Sequence, residues 1–205
     1  MKTIISVIIA IFILEMLPLN LIHATKYVRI VMEATDVNIP ADKMKQSSDI
    51  MSGRLKDAGI SIFEIDIEPG RIILHVEEQY ATDKIKDLLI ARGRFEFREP
   101  GTQKVILEGK NIESMKSFLD ESNRPYAAIQ FKKEAVALWA EATRRNLNKS
   151  IAVVLDNQVI YDPLVREEIS NGSCIITGNF TAEELQNFSI LGNNGELPVA
   201  FRIVN

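Results

Sequence analysis

The chain has 205 residues, with 24 Lys and Arg against 28 Asp and Glu, a formal net charge of −4 and 46% hydrophobic residues. This composition is typical of a globular protein and excludes a disordered chain, a collagen-like repeat and a polytopic membrane protein. The acidic balance argues against a general nucleic-acid binder. A single Cys excludes a disulfide within the chain and, with two His, leaves too few ligands for a structural zinc site.

Residues 1–24 have the organisation of a secretory signal peptide. Lys2 precedes an almost wholly apolar run from Ile4 to Leu14, and Ala24 offers a small residue for cleavage. The run is shorter than the roughly 20 residues that span a membrane, but further apolar residues follow it, so an uncleaved anchor over residues 4–22 is the alternative. We expect a protein exported to the periplasm or cell envelope, which meets the membrane only through this segment if it stays uncleaved.

Residues 25–100 are predicted to form a ferredoxin-like βαββαβ unit. Apolar residues alternate where strands are expected and recur at helical spacing where helices are expected. Pro40 begins the first helix and Gly59 ends it, while Pro69-Gly70 indicates a hairpin turn. The predicted elements are a strand at 27–34, a helix at 40–59, strands at 63–68 and 71–76, a helix at 81–91 and a last strand at 95–98.

Residues 101–205 are predicted to form a second α+β subdomain with a closing strand at 197–204. A helix over 132–147 carries Leu138 and Trp139 on its apolar face, and Thr181 with Glu184 forms a capping box at the start of the other helix. Residues 109–125 are polar and are predicted to be irregular. The remaining strands are predicted at 105–107, 127–131, 151–155, 158–161, 165–169 and 173–177.

Few residues offer chemistry. His75 is the one His after residue 24, and its place on a predicted strand favours an ordinary strand residue over a catalytic base. Cys174 lies in an apolar run and is expected to be buried. Four carboxylates that are close in sequence could do acid–base work or bind calcium, but turn or solvent roles are favoured: Asp156, Asp162, Glu167 and Glu168. We expect no catalytic residue, no cofactor and no metal site.

The second half of the chain resembles a specific family. The helix ending in Thr143 and Asn146, followed by the strand and turn from Lys149 to Asp156, is similar to the SecD subunit of the bacterial SecDF protein translocase. Further blocks match that family in order, and the combination is more specific than any one of them. These blocks are Tyr161-Asp162-Pro163, Ile169 to Gly172, Ile175 to Glu184 and Gly195 to Val199.

The first half resembles the same family, in which a large periplasmic domain consists of a ferredoxin-like base and an inserted head. Residues Met51 to Gly59 are similar to its base helix. The family continues beyond this region into transmembrane helices that carry the proton-conducting residues, whereas this sequence stops at Asn205. The resemblance therefore implies the soluble periplasmic domain, without the proton-driven machinery.

The resemblance implies a non-catalytic protein that binds polypeptide or assists protein export. It also implies exposed sheet edges and a groove between base and head, where an extended chain can add as a strand. The alternative is a structural or regulatory subunit that docks on a membrane protein partner such as the Sec translocase. No nucleic acid is expected as a partner.

Overall fold

The computed structural model describes residues 25–204, so the predicted signal peptide lies outside the described residues. In this part of the chain, no helix is long and apolar enough to cross a membrane. The elements in chain order are β1 (Tyr27–Ala34), α1 (Ala41–Asp57), β2 (Phe63–Glu68), β3 (Arg71–Glu77), α2 (Asp83–Ile90), β4 (Phe95–Arg98), β5 (Val105–Glu108), β6 (Ile112–Leu119), β7 (Pro125–Phe131), α3 (Lys133–Arg145), β8 (Ala152–Leu155), β9 (Gln158–Tyr161), β10 (Ser173–Ile176), α4 (Ala182–Asn194) and β11 (Phe201–Val204).

The base is a ferredoxin-like βαββαβ unit, which confirms the predicted α+β class. Its four-stranded antiparallel sheet has the order β11-β1-β3-β2. Helices α1 and α2 cover one face of this sheet, since alternate strand residues and the apolar stripe of α1 are buried together. Core residues contributed by strands and helices include Met32, Leu74, Met51 and Leu89.

The prediction that residues 95–98 close the base sheet is wrong. This strand, β4, pairs with β5 and β8 instead. Alternation indicates a strand but not its partner, and here the Phe97 ring packs edge-on against Phe131, with 4.9 Å between ring centroids. The fourth base strand is β11, which pairs with β1 through Ala34 and Phe201. The second subdomain is thus inserted between α2 and the last strand of the base.

We therefore propose a base of residues 25–92 and 200–204 and a head of residues 93–199, in place of the predicted division after residue 100. That division would separate β4 from β5, which pair in one sheet. The head contains a four-stranded sheet of order β5-β4-β8-β9 and a three-stranded sheet of order β10-β7-β6. Helices α3 and α4 pack with both sheets around one apolar core.

Three local predictions for the head meet different outcomes. Residues 112–119 form strand β6, in place of the irregular segment predicted over 109–125, because a bulge between Ile112 and Ser114 breaks the alternation of buried and exposed residues. Residues 165–169 form no strand, and the nearest pairing is an isolated bridge between Ser150 and Leu164. Trp139 is buried as predicted, whereas Leu138 is 43% exposed, since α3 turns it away from the core.

The junction between base and head is organised by Arg54 of α1, whose side chain is fully buried. Its guanidinium donates hydrogen bonds to carbonyl oxygens of Leu88, Leu89 and Ala91 at the end of α2, at 3.0, 3.3 and 2.6 Å. It also donates to the carbonyl oxygens of Arg92, at 3.2 Å, and Gly195, at 3.0 Å. Arg54 thus binds the chain both where it leaves the base and where it returns.

These contacts place a positive charge at the carboxyl ends of two helices, where the terminal carbonyl groups lack partners within the helix. Burial lowers the pKa of Arg54 to about 10, and the nearby carboxylate of Asp156 partly offsets that effect. The guanidinium therefore stays charged at neutral pH and can hold all five carbonyl groups.

The outgoing segment is fixed from the head side as well. The carboxylate of Asp156, in the turn between β8 and β9, accepts hydrogen bonds from the backbone N–H groups of Gly93 and Arg94, at 3.1 and 2.8 Å. Gly93 has a φ of 76°. A Cβ atom at this position would lie 2.5 Å from the Arg54 guanidinium, so the junction requires glycine.

We predict that Arg54→Met lowers the free energy of unfolding by about 3 kcal/mol, because several buried carbonyl groups lose their donor. Urea unfolding measures the change. Arg124→Met is the matched control, since the Arg124 side chain is 79% exposed and its removal should cost little. A loss below about 1 kcal/mol for Arg54→Met would show that the junction does not depend on this side chain.

Candidate functional site

Charged side chains cover the open face of the base sheet, which is the face opposite α1 and α2. On this face Glu33 pairs with Arg71 at 2.8 Å and also with Arg202, so three neighbouring strands carry a row of alternating charge. These two arginines hold the pKa of Glu33 below its usual value. In the adjacent row Ile73 is only 3% exposed, although no helix covers this face. The long charged side chains shield its apolar surface from water.

The outer face of the four-stranded head sheet is closed by the same means. Glu96 of β4 is buried and pairs with Arg94 and Arg98 on either side of it. Val154, its partner on the neighbouring strand, is fully buried on the same face. This face, like that of the base, presents paired charges to the solvent.

The outer face of the three-stranded head sheet differs from both. The register places Ile175, Ala128 and Lys116 in one row across β10, β7 and β6. Lys116 and Glu113, which lies in the bulge of β6, are the charged strand residues of this face within the described part of the chain. Ile175 is 55% exposed, and Phe118 stacks on Tyr126 with 5.5 Å between ring centroids. This face therefore leaves apolar groups accessible.

One edge of the three-stranded sheet is already occupied by a side chain. The carboxamide of Asn193 in α4 accepts a hydrogen bond from the Met115 N–H at 2.8 Å and donates one to the Met115 carbonyl at 3.0 Å. These are the two bonds that a neighbouring strand residue would make. Asn193 thus occupies the edge of β6 at Met115.

The opposite edge, formed by β10, is open at its centre. The Phe131 N–H donates to the Gly172 carbonyl at 2.8 Å, which fixes the alternation of the ladder between β7 and β10. By this alternation Cys174 bonds to β7, whereas the N–H and C=O groups of Ile175 point to the free edge. Within residues 25–204 these groups of Ile175 have no hydrogen-bond partner.

The start of β10 is held in place by α3 and a turn. Trp139 Nε1 donates to the Ser173 carbonyl at 2.9 Å, and the Ser173 N–H donates to Asn171 Oδ1 at 3.1 Å. Gly172 precedes the strand with a φ of 69°, and a Cβ atom there would lie 2.6 Å from a methyl carbon of Val136. The free edge therefore begins after Ser173, on a fixed backbone.

This free edge borders an open cleft with a volume of about 540 Å³. The cleft is lined by β10, α3, the β8–β9 hairpin and residues 163–171. The cleft lies within the head. At one end the Tyr161 hydroxyl lies 3.1 Å from Thr177 Oγ1. Its apolar walls include Trp139, Ile151, Val153, Leu164, Val165 and Cys174. A separate cleft of about 340 Å³, lined by Asp57 of α1 and by residues of β6 and α4, lies between base and head, where the resemblance implied a groove.

The chemical candidates from the sequence are scattered. His75 lies on the open face of the base and contacts Asp66 at 3.1 Å, away from the cleft. Asp156 serves the junction, Asp162 is exposed, and Glu167 and Glu168 lie at the rim of the cleft. Among residues 25–204, no group of three or more His, Cys, Asp or Glu is arranged to hold a metal ion.

Sequence reasoning missed Asn193 and Ile175 as the residues that close one edge and leave the other open. Each depends on which strand lies at the edge of a sheet, and alternation within one segment does not reveal that. The available signal was weak: an Asn in the last turn of a helix, and a long apolar residue in a strand next to a buried Cys.

Residues 95–199 match the family model described as SecDF, P1 head subdomain. The protein translocase subunit SecD of Dictyoglomus turgidum is 27% identical over 169 residues, which cover 82% of this chain and 42% of that protein. The SecD subunit of Acidaminococcus fermentans is 28% identical over 187 residues, covering 91% and 45%. The chain thus spans less than half the length of these relatives.

Solved structures show the same fold. A crystal structure of SecDF in a super-membrane-facing form aligns with a TM-score of 0.78 at 23% identity, over 86% of this chain and 29% of that one. A structure of SecDF, described as a membrane component that enhances protein export, aligns with a TM-score of 0.72 at 23% identity, over 87% and 98%. The arrangement of an inserted head on a ferredoxin-like base has a counterpart in these proteins.

We predict that Cys174 resists alkylation in the folded protein. Burial raises the pKa of its thiol to about 12, from an ordinary value of 9.0. At pH 8 the reactive thiolate should therefore be about a thousandfold rarer than in the unfolded chain. Mass spectrometry after iodoacetamide treatment measures the rate, with protein unfolded in urea as the control. Equal rates in both states would contradict the burial of Cys174.

Proposed function

Because the chain belongs to the SecDF P1 head subdomain family, we propose that it works outside the cytoplasm in protein export, as a non-catalytic module that binds extended polypeptide. The match to SecD translocase subunits over most of the chain supports a role in translocation. The apolar segment at residues 4–14 supports export of the protein itself. The open edge of β10 supports the binding of polypeptide.

The proposed site is the free edge of β10 together with the cleft beside it. An extended segment adds next to β10 and forms hydrogen bonds with the N–H and C=O groups of Ile175. Strand β10 ends at Ile176, so Ile175 offers the one free pair of this strand. Backbone pairing of this kind is independent of side-chain identity, which suits a protein that meets many unfolded chains.

The edge is ready to receive a strand without rearrangement. Trp139 and Asn171 hold Ser173, and β7 holds Cys174, so the backbone at Ile175 is ordered before the ligand arrives. Binding then pays mainly for ordering the polypeptide and not the protein. Asn193 occupies the opposite edge at Met115, which disfavours strand addition at that position.

This mode of binding uses no titrating side chain. The ligand gains backbone hydrogen bonds and apolar contact, and neither changes charge near neutral pH. His75 lies on the base sheet, outside the lining of the cleft. A catalytic role is therefore not part of the proposal.

A second function is docking on a membrane protein of the export machinery. The feature that favours it is the end of the β6–β7 hairpin, where Phe118 and Leu119 are 45% and 56% exposed. The turn is rigid, because the Asp120 carboxylate accepts hydrogen bonds from the Ser122 and Arg124 N–H groups at 2.8 and 2.9 Å. Loss of capture from membrane extract in Phe118→Ser, with peptide binding intact, would favour this function.

We predict that Ile175→Pro abolishes peptide binding while the protein stays folded. Proline removes the N–H that points to the free edge, and edge strands tolerate proline at such positions. Fluorescence anisotropy with a labelled extended apolar peptide should show a loss of at least about tenfold in affinity. Circular dichroism and thermal unfolding report whether the variant folds.

The matched control is Ile67→Pro on β2. Glu68 and Arg71 close a two-residue turn, so the Ile67 N–H also points to a free edge, but in the base. Peptide affinity should not change in this variant. Equal affinity of the wild-type protein and Ile175→Pro would show that polypeptide does not bind at β10, whereas a loss in Ile67→Pro alone would move the site to the base.

A further inference from the structure

We propose that the β10 site selects an uninterrupted apolar stretch of about three residues and discriminates against strands that alternate between polar and apolar residues. This inference rests on the proposed function, because it concerns the side chains of a segment already paired with β10. The side chains on the two faces of the added strand contact different surfaces of the head.

The geometry of strand addition assigns each ligand residue to one surface. Successive side chains of a strand point to opposite faces of the sheet. The ligand residue opposite Ile175 has its side chain on the outer face, next to that of Ile175. The residues before and after it point to the other face, where the cleft lies. Three consecutive ligand residues thus contact the outer face once and the cleft twice.

The outer face favours an apolar central residue. Ile175 is 55% exposed there, and its cross-strand neighbour is the small Ala128. The other residue of β10 on this face is the small Ser173, which leaves the Ile175 side chain accessible. A ligand side chain placed beside Ile175 covers apolar surface that water otherwise contacts. The carboxylate of this face, Glu113, lies in the bulge of β6, at the edge of the sheet opposite β10.

The cleft favours apolar residues for a different reason. Two polar groups of its inner walls already have partners within the protein: Trp139 Nε1 bonds to the Ser173 carbonyl, and the Thr143 hydroxyl donates to the Trp139 carbonyl at 3.0 Å. The same hydroxyl accepts from the Ile169 N–H at 3.0 Å. A polar ligand side chain in the cleft therefore loses water without gaining a hydrogen bond, which is unfavourable.

The rim of the cleft limits the length of this stretch. Arg166, Glu167 and Glu168 line the mouth and are exposed. Beyond the two residues that enter the cleft, the ligand meets charged groups and solvent, so polar residues are tolerated there. The structure thus favours a short apolar stretch with polar flanks over a long apolar segment.

The test compares three fluorescein-labelled peptides of about nine residues with identical Ser and Lys flanks, which carry Val-Leu-Val, Ser-Leu-Ser or Val-Ser-Val at the centre. Anisotropy titrations with the full chain should rank Val-Leu-Val tightest. Each of the other two should bind about tenfold or more weakly, since each loses one apolar contact surface.

Two variants test which surface of the head, the outer face or the cleft, causes each part of the peptide preference. Ile175→Thr keeps a β-branched residue in the strand and should reduce the discrimination between Val-Leu-Val and Val-Ser-Val. Leu164→Ser alters an exposed wall residue of the cleft and should reduce the discrimination against Ser-Leu-Ser. Val159→Thr, on β9 and outside the lining of the cleft, is the matched control and should leave the ranking unchanged.

The outcomes separate this inference from the proposed function. Equal affinity for the three peptides, lost together in Ile175→Pro, would overturn the selectivity and leave strand capture at β10 intact. An unchanged ranking in both Ile175→Thr and Leu164→Ser would also overturn it. Binding of none of the peptides would overturn the proposed function, and the selectivity with it.

Discussion

The structure depends on the buried guanidinium of Arg54. A head inserted into a ferredoxin-like base needs two chain crossings, and both leave backbone carbonyl groups without helical partners. One side chain bonds to five of them, at the ends of α2 and α4. The energetic cost of burying its charge is offset only while these acceptors stay in place. Arg54, which lies in α1 and in neither crossing, thereby holds base and head in one arrangement.

The elements that position the free edge of β10 are connected to that junction. Asp156 connects the outgoing segment to the β8–β9 hairpin, which forms one wall of the cleft. Helix α3 forms another wall and fixes the start of β10 through Trp139. Charged rows cover two of the three sheet faces, and Asn193 closes one edge of the third sheet. The apolar, accessible surface of this sheet is thus concentrated beside the free edge of β10.

Local patterns predicted the ferredoxin-like base, the Thr181 capping box and the burial of Trp139, because each depends on spacing within one segment. The fold family was predicted from blocks of residues that match the SecD family in the same order along the chain. The partner of β4 was mispredicted, since alternating Phe residues suit either subdomain. Strand β6 was missed because its bulge breaks the alternation of apolar and polar residues. The open edge at Ile175 depends on the pairing of β10 with β7, which is distant from it in sequence, so no single segment of the sequence could reveal it.

The central claim is that polypeptide binds as an added strand on β10. Amide hydrogen exchange of Ile175, followed by NMR with and without an extended apolar peptide, tests it most directly. The account predicts that the Ile175 amide exchanges rapidly in the free protein and becomes protected in the complex, while the Ile67 amide on the edge of the base does not change. Peptide binding that leaves the exchange of Ile175 unchanged would contradict the account.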